Sequence, residues 1–317
     1  MLQTRMLDRP SVLLHGGAGP KRKDRSGEPY ARRLEFMKAL ALDSYRVLIG
    51  EHTVGVAVPE GLEPSEPVQP ARYAGAAISG PRAAVVHANM MMELDERFNA
   101  GYGSKLQADG EVRTSAALAH GASNKLAAVY TVPKLLFASV VANQVFEEMD
   151  RNLDALGATA VMRELGMEAH DLRSPQRTEE WKAKRAGRSG TVGAVAVDEA
   201  GEIWALTATG GRGFERPGRI SDTPTPAGNY ACPAVAISAT GLGEQIIDLN
   251  VCGRLATRML DGHSLEAALT RTFDEIVAHN GSIGVIAVTP EGELGWAYTT
   301  EQMAVAAADS SGIPVAE

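Results

Sequence analysis

Thr191 follows Gly190 in the stretch GRSGTVGAVAVDEAG at 187–201 and opens an apolar run. A threonine hydroxyl holds its proton tightly and is a poor nucleophile until a base sits beside it. The threonine's own α-amine can be that base, provided the chain is cut between Gly190 and Thr191. An α-amine titrates near ~8, so a useful fraction of it is neutral close to neutral pH. The small Gly190 lets the Thr191 hydroxyl attack a strained peptide bond, after which water releases the ester. A β-branched residue opening a strand is commonplace, so position 191 says little alone.

The neighbours change the balance. Two further threonines end apolar runs and precede glycine, in Thr209-Gly210-Gly211 and Thr240-Gly241. If their strands meet, hydroxyls and glycine N–H groups converge at one sheet end. Between them, PGRISDTP carries Arg219 and Asp222. An arginine suits a carboxylate and an aspartate suits an ammonium, together the zwitterionic end of an amino acid. A structural ion pair in a loop would use the same two residues.

Other chemistries fit less well. His15, His52, His87, His120, His170, His263 and His279 are not spaced to share a helix face, and no cysteine pair lies near them. A local zinc motif is therefore missing. HGGAG (15–19) invites comparison with the oxyanion loop of α/β-hydrolases, but no G-x-S-x-G elbow accompanies it. GASNK (121–125) and GRSGT (187–191) both lack the final glycine. GGRGFERPG (210–218) lacks the Lys-Ser/Thr pair of a phosphate loop. Its glycines read as a place where backbone approaches something small.

These residues need elements to hold them. SVLLHGGAG (11–19) reads as a short buried strand ending in a glycine turn, and residues 31–49 have helical periodicity. The four prolines of 58–70 mark a surface loop or insertion. Residues 72–97 read as helix, 108–111 as a hairpin turn between two extended runs, and 134–151 and 153–166 as helices. Residues 171–190 hold six Lys/Arg, three Asp/Glu and little to bury, which predicts an exposed, mobile linker. Hairpins follow at 191–197/203–209 and 283–289/294–298. Between them lie a strand at 234–241 and helices beginning near Glu244 and Leu265. The strands of the first hairpin are apolar on both faces, so their sheet is covered on both sides in a layered α and β architecture.

Composition bounds the function. The 317 residues, 44% hydrophobic, give room for a large core, built mainly from aliphatic side chains because aromatics are only 5%. A net charge of −8 argues against nucleic acid as a partner. Two cysteines, Cys232 and Cys252, suit a reducing compartment rather than a disulfide framework. The opening MLQTRMLDRPSVLLHGG has apolar stretches too short for a signal segment, and no run approaches the ~18 apolar residues of a membrane span. The expectation is a soluble, cytoplasmic protein without a membrane partner.

Taken in order, HGGAG (15–19), FNAGYGSKLQADGEV (98–112), GTVGAVAVDEAG (190–201), TATGGRGFERPGRISDTP (207–224), AGNYA (227–231) and SATGLGE (238–244) span nearly the whole chain. With them the sequence resembles the isoaspartyl peptidase/L-asparaginase family, the plant-type asparaginases among N-terminal nucleophile (Ntn) hydrolases. The resemblance implies an α+β fold, the αββα four-layer sandwich, in a single domain over 1–317. It implies a precursor that cuts itself into an α chain (1–190) and a β chain (191–317), paired as a homodimer of αβ units. Thr191 would be the nucleophile, Thr209 its activating hydrogen-bond partner, and Thr240 with Gly241 the oxyanion hole. Arg219 would bind the substrate α-carboxylate, and Asp222 with the Gly243 carbonyl the α-ammonium. Catalysis would need no cofactor. A structural sodium ion would sit on the backbone carbonyls of Met92, Glu93, Asp95, Phe98, Ala100 and Tyr102. Asn99 would lie near the cleavage-competent threonine.

The sequence departs from the family pattern in places. Ser221 stands where glycine is usual between the arginine and the aspartate, RTSAALAHG (113–121) and KLAAVYTVP (125–133) replace common segments, the 58–70 insertion is extra, and TTEQM (299–303) lacks a glycine before the methionine. The implied function is hydrolysis of β-aspartyl (isoaspartyl) dipeptides and of the L-asparagine side-chain amide. The alternatives are a glycosylasparaginase-like hydrolase and an unprocessed, non-catalytic member that binds amino acids.

Overall fold

The structure is a computed structural model that describes residues 1–19, 28–52, 54, 79–183 and 190–317. In chain order the strands are β1 (Leu2–Met6), β2 (Ser11–Gly19), β3 (Arg113–His120), β4 (Lys125–Pro133), β5 (Asn152–Leu153), β6 (Val192–Val197), β7 (Ile203–Thr209), β8 (Asn229–Cys232), β9 (Val235–Gly241), β10 (Ile283–Val288), β11 (Glu293–Tyr298), β12 (Gln302–Asp309) and β13 (Gly312–Ala316). The helices are α1 (Glu28–Leu48), α2 (Gly80–Leu94), α3 (Ala138–Gln144), α4 (Ala155–Glu164), α5 (Pro175–Lys182), α6 (Gly243–Asp248), α7 (Val251–Leu260) and α8 (Leu265–Ala278). The fold is mixed helix and sheet, α+β.

The strands form two sheets, ordered β13-β12-β2-β6-β7-β3-β4-β5 and β1-β11-β10-β9-β8. Period-2 alternation sorts the side chains into three cores. In β6, Val192, Ala194 and Ala196 join the core under α1, α2, α3 and α4, while Val195 and Val197 point into the core between the sheets. In β10, Ile286 and Val288 enter that central core, while Ile283, Val285 and Ala287 face the core under α7 and α8. The predicted two-sided burial of the first hairpin is what the structure shows, since every residue of β6 and β7 is buried.

Several expectations need correction. The whole of 11–19 is strand, so the HGGAG glycines lie within β2 and not in a turn beyond it. The 108–111 turn has a strand on one side only; β3 instead makes its hairpin with β4. The helix expected over 134–151 contracts to α3 and a short 3-10 turn at Val145–Glu147. α7 is an additional helix. The α2 helix starts at Gly80, with Pro81 in its first turn; the rest of the expected 72–97 start and the 58–70 insertion lie outside the described residues.

The largest correction concerns 171–190, whose described part is not a mobile linker. Ser174 caps α5 by accepting from Arg177 N at 3.3 Å, and Pro175 occupies the first turn. Both are strong helix-start signals. Composition hid them because the described part of the segment buries only a few side chains, Leu172, Ser174 and Arg177 among them.

Candidate active site

β6 and β7 are antiparallel neighbours, with Val192 opposite Ala208. This brings Thr191, just before β6, beside Thr209 at the end of β7. The Thr191 hydroxyl donates to Thr209 Oγ1 at 3.4 Å, long for a hydroxyl pair. Thr209 Oγ1 also accepts from Gly211 N at 3.2 Å. Thr240 comes from β9 in the other sheet, so the three threonines meet across the inter-sheet space and not along one sheet edge. Its Oγ1 accepts from Thr191 N and from Ala18 N, each at 3.3 Å. Gly241, at φ +136, follows directly, and a Cβ there would lie 2.2 Å from Ser282 O. Only glycine fits there.

The bond before Thr191 is held from two sides. Asn99 Nδ2 donates to Gly190 O at 2.7 Å and to Gly211 O at 2.5 Å. On the other side Gly17, at φ +100, presses its Cα face against the bond. A Cβ on Gly17 would sit 2.8 Å from Gly190 Cα and 3.2 Å from Thr191 N. Thr191 itself is 3% exposed.

Arg219, Asp222 and Gly243 also converge. A Cβ on Gly243 would lie 2.6 Å from Asp222 Oδ1 and 2.7 Å from Arg219 Nη2. Arg219 does not pair with Asp222. Its Nε and Nη2 donate to Glu244 Oε1 and Oε2 at 2.7 and 2.9 Å, a two-pronged bond that holds the Glu244 carboxyl below its usual range. Asp222 is 3% exposed and its Oδ2 has no hydrogen-bond partner. Burial pushes its pKa up to about 7, and the nearby Arg219 charge offsets this only in part. Ser221 and Thr223 beside it also bury hydroxyls without partners. A buried carboxylate oxygen without a hydrogen-bond partner thus lies beside a guanidinium that is bonded to Glu244.

Beneath the threonines runs a polar chain that the sequence reading did not assign. His15 Nε2 bonds Ser238 Oγ at 2.8 Å, Ser238 Oγ bonds Thr207 Oγ1 at 2.6 Å, and Thr207 donates to Asn229 Oδ1 at 2.7 Å. Complete burial lowers the His15 pKa to about 3, so the ring is neutral. Gly193 leaves room for the crossing, since a Cβ there would meet Ser238 Oγ at 2.0 Å and His15 Nε2 at 2.4 Å. The signal was present in the strand period. Thr207 precedes Thr209 by two residues and Ser238 precedes Thr240 by two, so each pair shares a face.

The Met92–Tyr102 stretch carries the end of α2 into a tight loop. A Cβ on Gly101, at φ +49, would lie 2.1 Å from Glu93 O. The Glu93 side chain is no anionic ligand. It is buried against Ser139, and burial raises its pKa to about 8. The Asp95 carboxylate is occupied by Arg97. Neutral carbonyls at the α2 C-terminus and in the loop after it remain, a donor set that fits a hard, weakly charged cation. Among the described residues no group of three or more His, Cys, Asp and Glu could hold a metal ion, and no helix is long and apolar enough to cross a membrane.

A family model described as asparaginase matches residues 73–189 and 182–316. The chain is similar to an isoaspartyl peptidase/L-asparaginase of Nostoc sp., 31% identical over 92% of this chain and 89% of the relative. It is similar to a plant-type L-asparaginase of Pyrobaculum calidifontis, 33% identical over 78% of this chain and 86% of the relative. A third relative, an isoaspartyl peptidase/L-asparaginase of Danio rerio, is 30% identical over 94% of this chain and 92% of its own length.

Proposed function

This chain belongs to the asparaginase family, and from that membership we propose that it is an amidohydrolase that cleaves β-aspartyl dipeptides and the side-chain amide of L-asparagine through Thr191. The observation that carries the reading is the meeting of Thr191, Thr209 and Thr240 at the Gly190–Thr191 bond, beside the pocket of Arg219, Asp222 and Gly243. The fold is read as the four-layer αββα sandwich of Ntn hydrolases. The working form is a cytoplasmic homodimer of cleaved units, which two buried, unpaired cysteines suit. A sodium ion on the carbonyls of Met92, Glu93, Asp95, Phe98, Ala100 and Tyr102 would stiffen the loop that carries Asn99.

Maturation comes first. Thr191 Oγ attacks the Gly190 carbonyl carbon, the C–N bond breaks, and the hydroxyl proton passes to the departing nitrogen. Water then hydrolyses the ester, leaving a Gly190 carboxylate and a free Thr191 amine and hydroxyl. In turnover that amine takes the hydroxyl proton, helped by the Thr209 hydroxyl, while Oγ adds to the substrate β-carbonyl. Thr240 and Gly241 stabilise the oxyanion. The leaving amine departs with the proton, and water attacks the acyl-enzyme to free aspartate.

Thr191→Ala should leave one intact chain on denaturing gels, where wild type yields fragments 1–190 and 191–317. The pocket grips both α-groups, so an α-aspartyl peptide, whose α-carboxylate is consumed in the scissile bond, loses its contact with Arg219, which is then left with Glu244 alone. The expected preference in kcat/KM for β-Asp-Leu over α-Asp-Leu is roughly a thousandfold. Equal values would refute this pocket assignment.

A further inference from the structure

Asn99 holds the scissile carbonyl, and the loop that carries it is braced by a helix from the segment just before the cut. Arg177 of α5 is 9% exposed. Its Nε donates to Gly103 O at 2.8 Å and its Nη2 to Glu96 O at 3.3 Å. These two carbonyls flank Asn99 at the neck of one loop. The neck is closely packed, because a Cβ on Gly103 would lie 1.9 Å from Phe98 O and 2.7 Å from Glu96 O. Glu180 on the same helix accepts from Arg177 Nη1 at 3.0 Å and balances its buried charge. One helical turn on, Trp181 Nε1 donates to Gln107 O at 2.9 Å. Its ring lies parallel to Phe214, 6.3 Å between centroids and 6° between planes. Phe214 N in turn donates to Leu106 O at 2.9 Å.

From the braced loop, contacts run to the reacting bond. Asn99 Oδ1 accepts from Lys105 N at 2.9 Å, which fixes the amide so that Nδ2 faces Gly190 O and Gly211 O. The Asn99 carbonyl accepts from Gly210 N at 2.9 Å. Gly211 N then reaches Thr209 Oγ1. The loop therefore orients both the carbonyl to be attacked and the hydroxyl beside the attacking one.

We propose that Arg177 and Trp181 are positioning residues, and that α5 is a fixed brace of the active site rather than a spent linker. The brace sets the 96–107 loop, and through Asn99 and Gly211 it orients the Gly190 carbonyl for self-cleavage and the Thr209 hydroxyl for turnover. An arginine is required because its planar fork spans two carbonyls, which a lysine ammonium cannot do with the same geometry. The proposal rests on the function stated above. It assigns Arg177 no role in binding substrate, which falls to Arg219, Asp222 and Gly243.

The test uses the full chain with Arg177→Ala, Arg177→Lys and Trp181→Phe. Precursor conversion is followed on denaturing gels, and kcat and KM for β-Asp-Leu are measured on fully processed enzyme. Misplacement by about an ångström at a reacting carbonyl costs on the order of a hundredfold, so Arg177→Ala should slow self-cleavage roughly 10–100-fold. Once processed, it should lose kcat about tenfold with KM within about twofold of wild type. Arg177→Lys should fall between wild type and Arg177→Ala. Trp181→Phe keeps the ring, loses the bond to Gln107 O, and should slow self-cleavage severalfold. Wild-type rates in Arg177→Ala, or a raised KM with unchanged kcat, would overturn the proposal. Should Arg177→Ala fail to fold, Trp181→Phe decides, and wild-type rates in it would be fatal. Wild type that cuts itself but leaves β-Asp-Leu intact would sink the substrate reading and leave the self-cleavage comparison standing.

Discussion

Asp222 is where a single residue has the most to reveal. Its carboxyl is buried without a partner for Oδ2, and its pKa is pushed up to about 7. In the unfolded chain it would release its proton near ~4. The folded state therefore binds a proton that the unfolded state has lost, and this group's contribution to stability is full below about pH 4 and lost as pH rises through 7. Asp222→Asn should raise the melting temperature by several °C at pH 8 and scarcely at pH 4, as a thermal-shift series across pH would show. The same substitution should abolish hydrolysis of L-asparagine. In wild type, kcat/KM should climb through pH 7 as the ammonium-binding carboxylate forms. A flat profile between pH 6 and 8 would contradict this role. Both Asp222 and Arg219 were legible in the sequence, but Glu244 as the partner of Arg219 was not. Their bond joins positions 25 apart, and no local spacing encodes it.

At the scale of elements, β2 shows how a strand can be shaped by what lies against it. Glycines at 16, 17 and 19 read as a turn, because glycine is costly in a strand interior. Here they belong to a strand that passes close to the Gly190–Thr191 bond. A side chain at Gly17 meets both a left-handed φ and a 2.8 Å clash with Gly190 Cα. Gly17→Ala should therefore slow precursor conversion at least about tenfold while lowering stability by roughly 1–2 kcal/mol. A gel time course beside a denaturant melt checks both, and unchanged conversion would show that β2 does not constrain the bond. α5 failed in the other direction. Its Ser174-Pro175 start was visible in the sequence, yet charge content argued for disorder. What keeps it ordered is a few long-range bonds from Arg177 and Trp181, not a broad apolar face.

For the whole molecule, the strand order has a consequence for the proposed cut. β2, from the part before Thr191, lies between β12 and β6 from the part after it. β3 pairs with β7, and β1 pairs with β11. Both sheets are thus woven from the two fragments, and separating them would break four strand interfaces and expose shared cores. The fragments 1–190 and 191–317 should co-elute as one species in native size-exclusion chromatography and part only in denaturant. Spontaneous separation in buffer would be incompatible with this topology in the cleaved protein.

The sequence by itself determined the two hairpins, the two-sided burial of the first, and the three threonines that meet at the Gly190–Thr191 bond. Alternation, turn residues and side-chain chemistry are local properties, and the motifs TVGAV, TATGG and SATG carry all three. Only the tertiary structure decided that Thr240 arrives from the facing sheet, that His15, Ser238, Thr207 and Asn229 link the sheets beneath it, and that α5 braces the Asn99 loop. Those facts depend on which strands stack across the central core and on chain segments that meet 22 to 223 positions apart. Packing of the two sheets sets them, and no periodicity within one segment records how it will stack on another.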